Sequence, residues 1–340
     1  MPKPEHDADR RLTIAHSPDP DDAFMWWPLG TRGLTGGPAH APELDPAIDT
    51  EGFVFTPLAV DIQELNRRAI EIADVDVTAI SMHAFGAVRD RYVLTDCGAS
   101  FGDGYGPKVL TPPGAPLPHA KAKQPDRAEW LAGMLRDGAT VAIPGFETSA
   151  YLVLRSMTGE AGAVAAERDQ FRPMRFDRIV PAILSGEADA GLVIHEAQVT
   201  YADQGLGLVI DLGQWWHDET AGLGGPGESG LPLPLGANAV KRDLITRFGP
   251  DAHATVSRVL RRSIRHALDH RDGGIDYAAA FATAGGDQPV ARELVDRFVG
   301  LYVNDLTLSM GERGRRAVEE LLRRGEAMRL IASSGPTEIV

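Results

Sequence analysis

The sequence predicts an α/β protein with two lobes. Short apolar runs alternate with amphipathic segments over most of the chain, and only helical patterns follow from Lys241 to Gly325. Two breaks rich in proline and glycine fall about one third and two thirds of the way along. Apolar strands that alternate with amphipathic helices are typical of sheets built from strand–helix–strand units. The alternation therefore predicts the fold class, and the breaks predict the division into lobes.

Apolar runs predict the strands, and amphipathic segments predict the helices. The predicted strands are Leu12–Ala15, Phe53–Ala59, Val75–Ile80, Tyr92–Thr95, Val109–Thr111, Thr140–Ile143, Gly191–Ile194, Leu206–Ile210 and Leu235–Ala239. The predicted helices are Asp22–Leu29, Ile62–Ile72, Arg127–Arg136, Ser149–Met157, Ile179–Ser185, Ser257–Asp269, Gln288–Val303 and Glu312–Gly325.

Three stretches predict loops or hinges, namely residues 30–50, Pro112–Pro118 and Gly222–Pro234. The last two favour an inserted lobe at residues 112–234, with residues 1–111 and 235–340 folding together as the other lobe. Two crossings between lobes form a natural hinge around a central cleft that closes on a ligand. The alternative is that these loops decorate one large sheet.

Composition limits the partners that this chain can have. Its 340 residues are 43% hydrophobic and 24% charged, values typical of a globular protein long enough for two cores. The net charge of −14 repels phosphate backbones and anionic lipid, so we expect neither nucleic acid nor a membrane surface as a partner. The same charge could serve solubility alone.

Several sequence features indicate an intracellular protein. The single cysteine, Cys97, excludes an internal disulfide and a cysteine-based zinc cluster. Residues 1–11 carry charges where a signal peptide has an apolar stretch. No window reaches the roughly 18–20 apolar residues of a membrane span. We therefore predict a cytoplasmic protein.

The loop His16–Asp22 is the first candidate for chemistry, because it follows a predicted strand and precedes a helix. Ligands of α/β folds bind at the carboxyl ends of strands. Three aspartates in this loop suggest a divalent cation, but aspartate is also common at helix starts for capping alone, and the spacing matches no calcium loop. We therefore predict no metal.

The loop Pro144–Tyr151 is the second candidate, again between a strand and a helix. Free backbone N–H groups at the helix start, together with the hydroxyls of Thr148 and Ser149, would suit an anion such as a carboxylate. The alternative is that one of these hydroxyls simply caps the helix.

His195 and Ser81 complete the candidates, and each follows a predicted strand. A histidine at the carboxyl end of a strand can act as a general base near neutral pH, although a lone histidine can equally be structural. Ser81, with Asn66 on the preceding helix, could hydrogen-bond a polar ligand or tie a loop. The motifs of serine hydrolases, zinc proteases and dinucleotide oxidoreductases are absent.

Taken in order, these pieces resemble the menaquinone-biosynthesis family of the futalosine route. The resemblance extends from about Leu12 to about Ile331. The blocks that carry it are HSPDPDDAF (16–24), ELNRRAI (64–70), VRDRYV (88–93), PGFETSAYLVL (144–154), FDRIVPAILSGEADAGLVIHE (176–196), DLGQWW (211–216), LPLPLGA (231–237) and YVN (302–304).

The resemblance implies a fold, a reaction and a site. The fold is the two-lobed periplasmic-binding-protein-like fold of type II. The reaction is the cleavage of cyclic dehypoxanthinyl futalosine to 1,4-dihydroxy-6-naphthoate and dihydroxyacetone by a carbon–carbon lyase that needs no cofactor. His195 would be the general base. The implied substrate contacts are Ile80, Ser81, Ser149 and Ala150, with Asn66 and Thr148 added. We expect these groups to face one cleft that takes a small carboxylated substrate; a homo-oligomer is possible.

Two alternatives share the implied fold. One is the related enzyme that dehydrates chorismate, which has a Gly-Asp pair where this chain has His195-Glu196. The other is a receptor for a small carboxylate with no enzymatic activity. The chain also departs from the family pattern at Asp19 and Asp21, which replace neutral residues, and at Ala79, where a relative has lysine.

Overall fold

Residues from distant parts of the sequence make up each of two units. The computed structural model describes residues 10–195, 197–225, 229–282, 290–332 and 334–340. The first unit contains the chain up to Ser100, Gly236–Gly311 and the C-terminal segment that ends at Val340. The second contains Phe101–Leu235 and Glu312–Ala332.

The described strands form two sheets. In chain order they are β1 (Arg11–His16), β2 (Val54–Ala59), β3 (Val77–Ser81), β4 (Tyr92–Leu94), β5 (Ser100–Gly102), β6 (Lys108–Thr111), β7 (Val141–Ile143), β8 (Phe171–Pro173), β9 (Ala190–Val193), β10 (Gly207–Asp211) and β11 (Leu233–Lys241). One sheet has the order β2-β1-β3-β11-β4, with β5 also paired to β11, and the other has the order β10-β6-β9-β7-β8. The predicted α/β fold with two sheets is confirmed.

One strand in the main path of each sheet runs against the others. In the first sheet β1 pairs in parallel with β2 and β3, whereas β11 is antiparallel to β3 and β4. In the second, β7 pairs in parallel with β8 and β9, whereas β6 is antiparallel to β9 and β10. Because the remaining strands of each path share one direction, their carboxyl ends lie at a common edge, where α/β proteins bind ligands.

Helices connect and cover these strands. They are α1 (Pro20–Trp26), α2 (Ile62–Glu71), α3 (Met82–Gly86), α4 (Gln124–Arg136), α5 (Ser149–Glu167), α6 (Phe176–Ser185), α7 (Ala197–Thr200), α8 (Leu212–Glu219), α9 (Leu244–Phe248), α10 (Ala252–Asp269), α11 (Arg271–Ala279), α12 (Arg292–Tyr302), α13 (Asp305–Leu308) and α14 (Gly311–Ala327). The predicted helix at Gln288–Val303 begins outside the described residues, and α12 is its described part. None of the helices described is long and apolar enough to cross a membrane.

Each sheet packs its apolar side chains against helices. In the first unit Leu12 and Ile14 of β1 join a buried cluster with Phe24 of α1 and with Val259 and Leu260 of α10. In the second unit a smaller cluster combines Leu110, Ala142 and Val193 from three strands with Ile179 and Ile183 of α6. The central strands, such as β3 and β9, are buried over their whole length, which explains their near-continuous apolar runs.

Two short strands, β5 and β8, were not predicted. Each has only three residues, and in β8 only Phe171 is buried while Arg172 and Pro173 are exposed. A run this short shows no alternation that could distinguish it from a loop. The predicted helix at Ser149–Met157 is also extended: α5 continues to Glu167 across a kink at Gly159.

Helix α14 groups with the second sheet, whereas the sequence assigned residues 235–340 as a whole to the lobe of the termini. Its Arg313 donates to Asp103 at 2.7 Å and to the carbonyl oxygen of Gly230 at 2.8 Å. Arg324 lies over the Trp216 ring, 5.0 Å from its centroid. An amphipathic pattern shows which face a helix buries but not which sheet that face covers. The other predicted lobe boundaries, at 111/112 and 234/235, stay predictions.

A cluster of charged side chains in the first unit makes the free energy of unfolding depend on pH in the acid range. Glu51 accepts hydrogen bonds from Arg258 at 2.9 Å and from Arg262 at 3.0 Å. The Arg258 hydrogen bond and the nearby Arg262 lower the pKa of Glu51 from its ordinary 4.5 to about 2. The folded state therefore prefers the ionised carboxylate more strongly than the unfolded chain does, so this pairing stabilises the fold fully above about pH 4.5.

We expect this stabilisation to decrease as the pH falls from about 4.5 towards 2. Unfolding by urea, measured for the wild type and for Glu51→Gln at a series of pH values, checks this. The wild type should be the more stable of the two at pH 7, and the difference should shrink at low pH because glutamine does not titrate. A difference that stays constant with pH would contradict the proposed ionic origin.

Candidate functional site

In the first unit, Asn66 holds Ser81 at the end of β3. The Asn66 side chain donates from Nδ2 to the Ser81 hydroxyl and accepts from the Ser81 backbone N–H, both at 2.9 Å. Asn66 is fully buried and Ser81 is only 4% exposed. Since the Ser81 oxygen accepts from Asn66, its own proton remains to be donated elsewhere.

The His16–Asp22 loop lies at the same edge, after β1. The side chains of Ser17 and Asp19 hydrogen-bond each other, and the Ser17 backbone N–H donates to Asp22 at 2.9 Å. His16 is buried, and its Nδ1 lies 2.7 Å from the Ser17 carbonyl oxygen. Burial lowers the pKa of His16. The carboxylates of this loop therefore close the turn between β1 and α1.

The structure describes no arrangement of three or more histidine, cysteine, aspartate or glutamate side chains suited to a metal ion in residues 10–195 or in the other described ranges. The three aspartates of the loop are Asp19, Asp21 and Asp22. Asp21 and Asp22 lie in the first turn of α1, where a negative charge interacts favourably with the positive end of the helix dipole.

In the second unit, the loop Pro144–Thr148 leads from β7 into α5. Thr148 is the N-cap of α5: its hydroxyl accepts from the Tyr151 backbone N–H at 3.3 Å and donates to the Gly145 carbonyl oxygen at 2.8 Å. The Ser149 hydroxyl donates to the Leu235 carbonyl oxygen. Both hydroxyls are thus bound to main-chain atoms, but only Thr148 shapes the start of the helix. Ser149 instead connects the helix to Leu235, 86 positions further along the chain.

His195 lies two residues beyond the end of β9, and its backbone has an unusual conformation. Its φ angle is +62°, in the left-handed region that few non-glycine residues adopt. The residue is half-buried, and its carbonyl oxygen accepts from the Gln198 backbone N–H at 3.1 Å. Left-handed backbone at a non-glycine residue is a feature of some functional sites. In the described residues it also occurs at Glu51, Ala73, Asp169 and Arg329. Glu196, which follows, lies outside the described residues.

Phe176, the first residue of α6, is the contact that sequence reasoning missed. Its ring packs against the His195 ring with centroids 4.2 Å apart and planes inclined by 65°. Phe176 opens the sequence block 176–196, which also contains His195, so both residues belong to one segment that carries the family resemblance. Nineteen positions separate the two residues, however, and no periodicity predicts that they touch.

The structure brings the predicted residues together in two groups. Asn66, Ile80 and Ser81 lie in the first unit, where Ile80 is fully buried and paired with Ala237 of β11. Thr148, Ser149, Ala150 and His195 lie in the second. There β7 and β9 are parallel neighbours, so the start of α5 and His195 share one sheet edge. That Ser81, Ser149 and His195 face one cleft stays a prediction.

The block 211–216, which contributes to the family resemblance, has a structural role in the described residues. In the block 211–216, Asp211 caps α8 by accepting from the backbone N–H groups of Gly213 and Gln214. A Cβ on Gly213 would lie 1.9 Å from the Tyr105 carbonyl oxygen, so only glycine fits there. Trp216 is fully buried and donates from its indole to the Pro232 carbonyl oxygen at 3.1 Å.

Comparison with known sequences identifies relatives over the whole length. Residues 12–327 match the family described as menaquinone biosynthesis. A protein from Thermus thermophilus is 35% identical over 323 residues, which is 95% of this chain and 97% of that protein. One from Streptomyces coelicolor is 33% identical over 325 residues, 96% of each chain. Both relatives are named 1,4-dihydroxy-6-naphthoate synthase.

Solved structures agree on the fold. A protein from Archaeoglobus fulgidus, 34% identical, superposes with a TM-score of 0.71 and covers 95% of this chain and 100% of its own. An alkanesulfonate-binding protein from Xanthomonas axonopodis, bound to MOPS, covers 95% of this chain and 94% of its own, with a TM-score of 0.56 at 14% identity. This second likeness shows only the periplasmic-binding-protein-like fold that the sequence predicted. By its sequence match over residues 12–327, the chain belongs to the menaquinone-biosynthesis family.

Proposed function

We propose that this protein is a carbon–carbon lyase that converts cyclic dehypoxanthinyl futalosine into 1,4-dihydroxy-6-naphthoate and dihydroxyacetone, with His195 as the general base. The observation that carries the proposal is His195 itself, a half-buried histidine in left-handed backbone at the carboxyl edge of the second sheet. The full-length similarity to two proteins named 1,4-dihydroxy-6-naphthoate synthase supports the choice of product.

The proposed reaction requires a general base and the correct orientation of the substrate. A neutral imidazole removes a proton next to an activated centre of the substrate. Elimination then leads towards an aromatic ring system, and aromatisation supplies much of the driving force. Holding the substrate with the reacting proton close to the imidazole nitrogen lowers the activation barrier.

The remaining predicted residues hold the substrate in this proposal. Ser81 donates its hydroxyl proton, since its oxygen already accepts from Asn66. Ser149 and Ala150 lie in the first turn of α5, where backbone N–H groups point along the helix axis and favour a carboxylate. Because its side chain is buried in β3, Ile80 contributes only through its main chain. Thr148 shapes the turn by capping α5.

Incubation of the purified protein with cyclic dehypoxanthinyl futalosine tests the proposal. We expect consumption of the substrate with formation of 1,4-dihydroxy-6-naphthoate and dihydroxyacetone in equal amounts, identified by mass spectrometry. Denatured protein and His195→Asn serve as controls. Chorismate is offered in parallel, because its dehydration is the reaction of the other enzyme with this fold.

Three outcomes would contradict the proposal. Turnover of chorismate alone would assign the chain to the other enzyme of the family. Saturable binding of the futalosine derivative without product would favour a receptor. Equal product formation by the wild type and His195→Asn would retain the reaction but remove the base.

A further inference from the structure

We infer that Phe176 is a positioning residue for the proposed base, and that its ring fixes the orientation of the His195 imidazole. The inference rests on the proposed function of His195 and adds a residue to it. Its basis is the contact between the two rings, with centroids 4.2 Å apart, and the way in which the chain brings them together.

The approach of α6 to β9 depends on a glycine. Gly191 lies in β9, and a Cβ built on it would be 2.6 Å from both Ile179 Cγ2 and Ile183 Cδ1. Real Cβ atoms essentially never lie so close to other atoms, so with any larger residue the two isoleucine side chains, or α6 with them, would have to shift away from the strand. The absence of a side chain at Gly191 therefore lets the two isoleucines of α6 rest directly on the strand.

Close packing of α6 also fixes where its first residue lies. Phe176 precedes Ile179 by three positions, so the two lie about one turn apart on the same side of the helix. His195 follows Gly191 by four positions and lies just past the end of the strand. The helix start and the strand end therefore meet, and the ring of Phe176 lies against that of His195.

The backbone conformation of His195 explains why a contact from another element helps to orient its side chain. With φ at +62°, the residue is no longer in extended conformation, so the strand does not set the direction of its side chain. A side chain beyond a strand end can take several staggered rotamers. The inclined packing of Phe176, at 65° between ring planes, favours one of them.

Kinetics of Phe176→Ala, Phe176→Tyr and the control Arg178→Ala, with the futalosine derivative as substrate, test this role. Arg178 is an exposed residue on the same helix. We expect Phe176→Ala to lower kcat by about 10–100-fold, the usual effect of a misplaced catalytic group, with KM little changed. Phe176→Tyr keeps the ring and should retain most of kcat, and Arg178→Ala should behave as the wild type.

A double-mutant cycle separates positioning from other roles. In the His195→Asn background the Phe176→Ala substitution should have no further effect on kcat, because there is no base left to orient. The inference is wrong if the same loss recurs in that background, if KM alone rises, or if folded Phe176→Ala has normal kcat. If His195→Asn alone has normal kcat, the proposed base is wrong and the inference falls with it; the other outcomes leave the base in place.

Discussion

Replacement of His195 by asparagine is expected to lower turnover of the futalosine derivative by about 10²–10⁴-fold, the usual contribution of one general base. Asparagine keeps polarity and much of the volume but cannot accept a proton at neutral pH. It is also the replacement best suited to the backbone, because asparagine tolerates the left-handed conformation that His195 adopts. The fold and the affinity for substrate should therefore change little.

Thermal unfolding and single-turnover rates, measured on the same preparation of His195→Asn, check this expectation. His195→Ala serves as a second variant that removes the polar side chain altogether. A structural histidine would give the reverse pattern, with a lower melting temperature and normal turnover per folded molecule. Such a result would end the assignment of His195 as base and would favour the receptor function.

The Asn66→Ala substitution is expected to lower the free energy of unfolding by about 2–4 kcal/mol. Two hydrogen bonds to Ser81 are lost, and the Ser81 backbone N–H loses the acceptor that it has in a buried environment. Because Ser81 is also a proposed substrate contact, kcat/KM should fall as well. Urea unfolding and steady-state kinetics measure the two effects.

Two matched variants give this prediction its controls. Arg67→Ala changes the neighbouring, exposed residue of α2, whose ion pairs with Glu64 and Glu71 lie at the surface; its effect should stay within about 0.5 kcal/mol. Ser81→Ala removes only one of the two hydrogen bonds and should cost about half as much as Asn66→Ala. If Asn66→Ala were no more destabilising than Arg67→Ala, the hydrogen bonds to Ser81 would contribute nothing.

The sequence predicted most of the described strands and eight of the fourteen described α-helices, because local patterns determine these elements. The alternation of apolar runs with amphipathic helices located nine of the described strands, and Ser81, Thr148 and His195 were all correctly expected near the ends of strands or the start of a helix. Strand ends can be recognised in a sequence because the apolar run stops there.

Hydrogen-bond partners, backbone angles and contacts between distant segments could not be predicted in the same way. The two explanations for Thr148, anion binding and helix capping, require the same residue at the same place, so only the hydrogen bond to Tyr151 reveals the cap. The left-handed backbone at His195 has no sequence signal, since the residue is not glycine. Gly191 was visible as a residue that opens a predicted strand, but its role depends on the two isoleucines of α6.

The strand order has a consequence for how this protein folds as it is synthesised. The second sheet consists of β6 to β10, which are consecutive in the chain. The first sheet cannot be completed in the same way, because β11 lies between β3 and β4 and is made only after the whole second sheet. We therefore expect β3 and β4, which leave the ribosome early, to remain unpaired on their β11 side until β11 has been synthesised. The second sheet can meanwhile assemble from strands that are neighbours in the chain. Helix α14 is synthesised last and reaches that sheet last. Because the second sheet can nevertheless be completed before the first, the order of synthesis is not the order of folding.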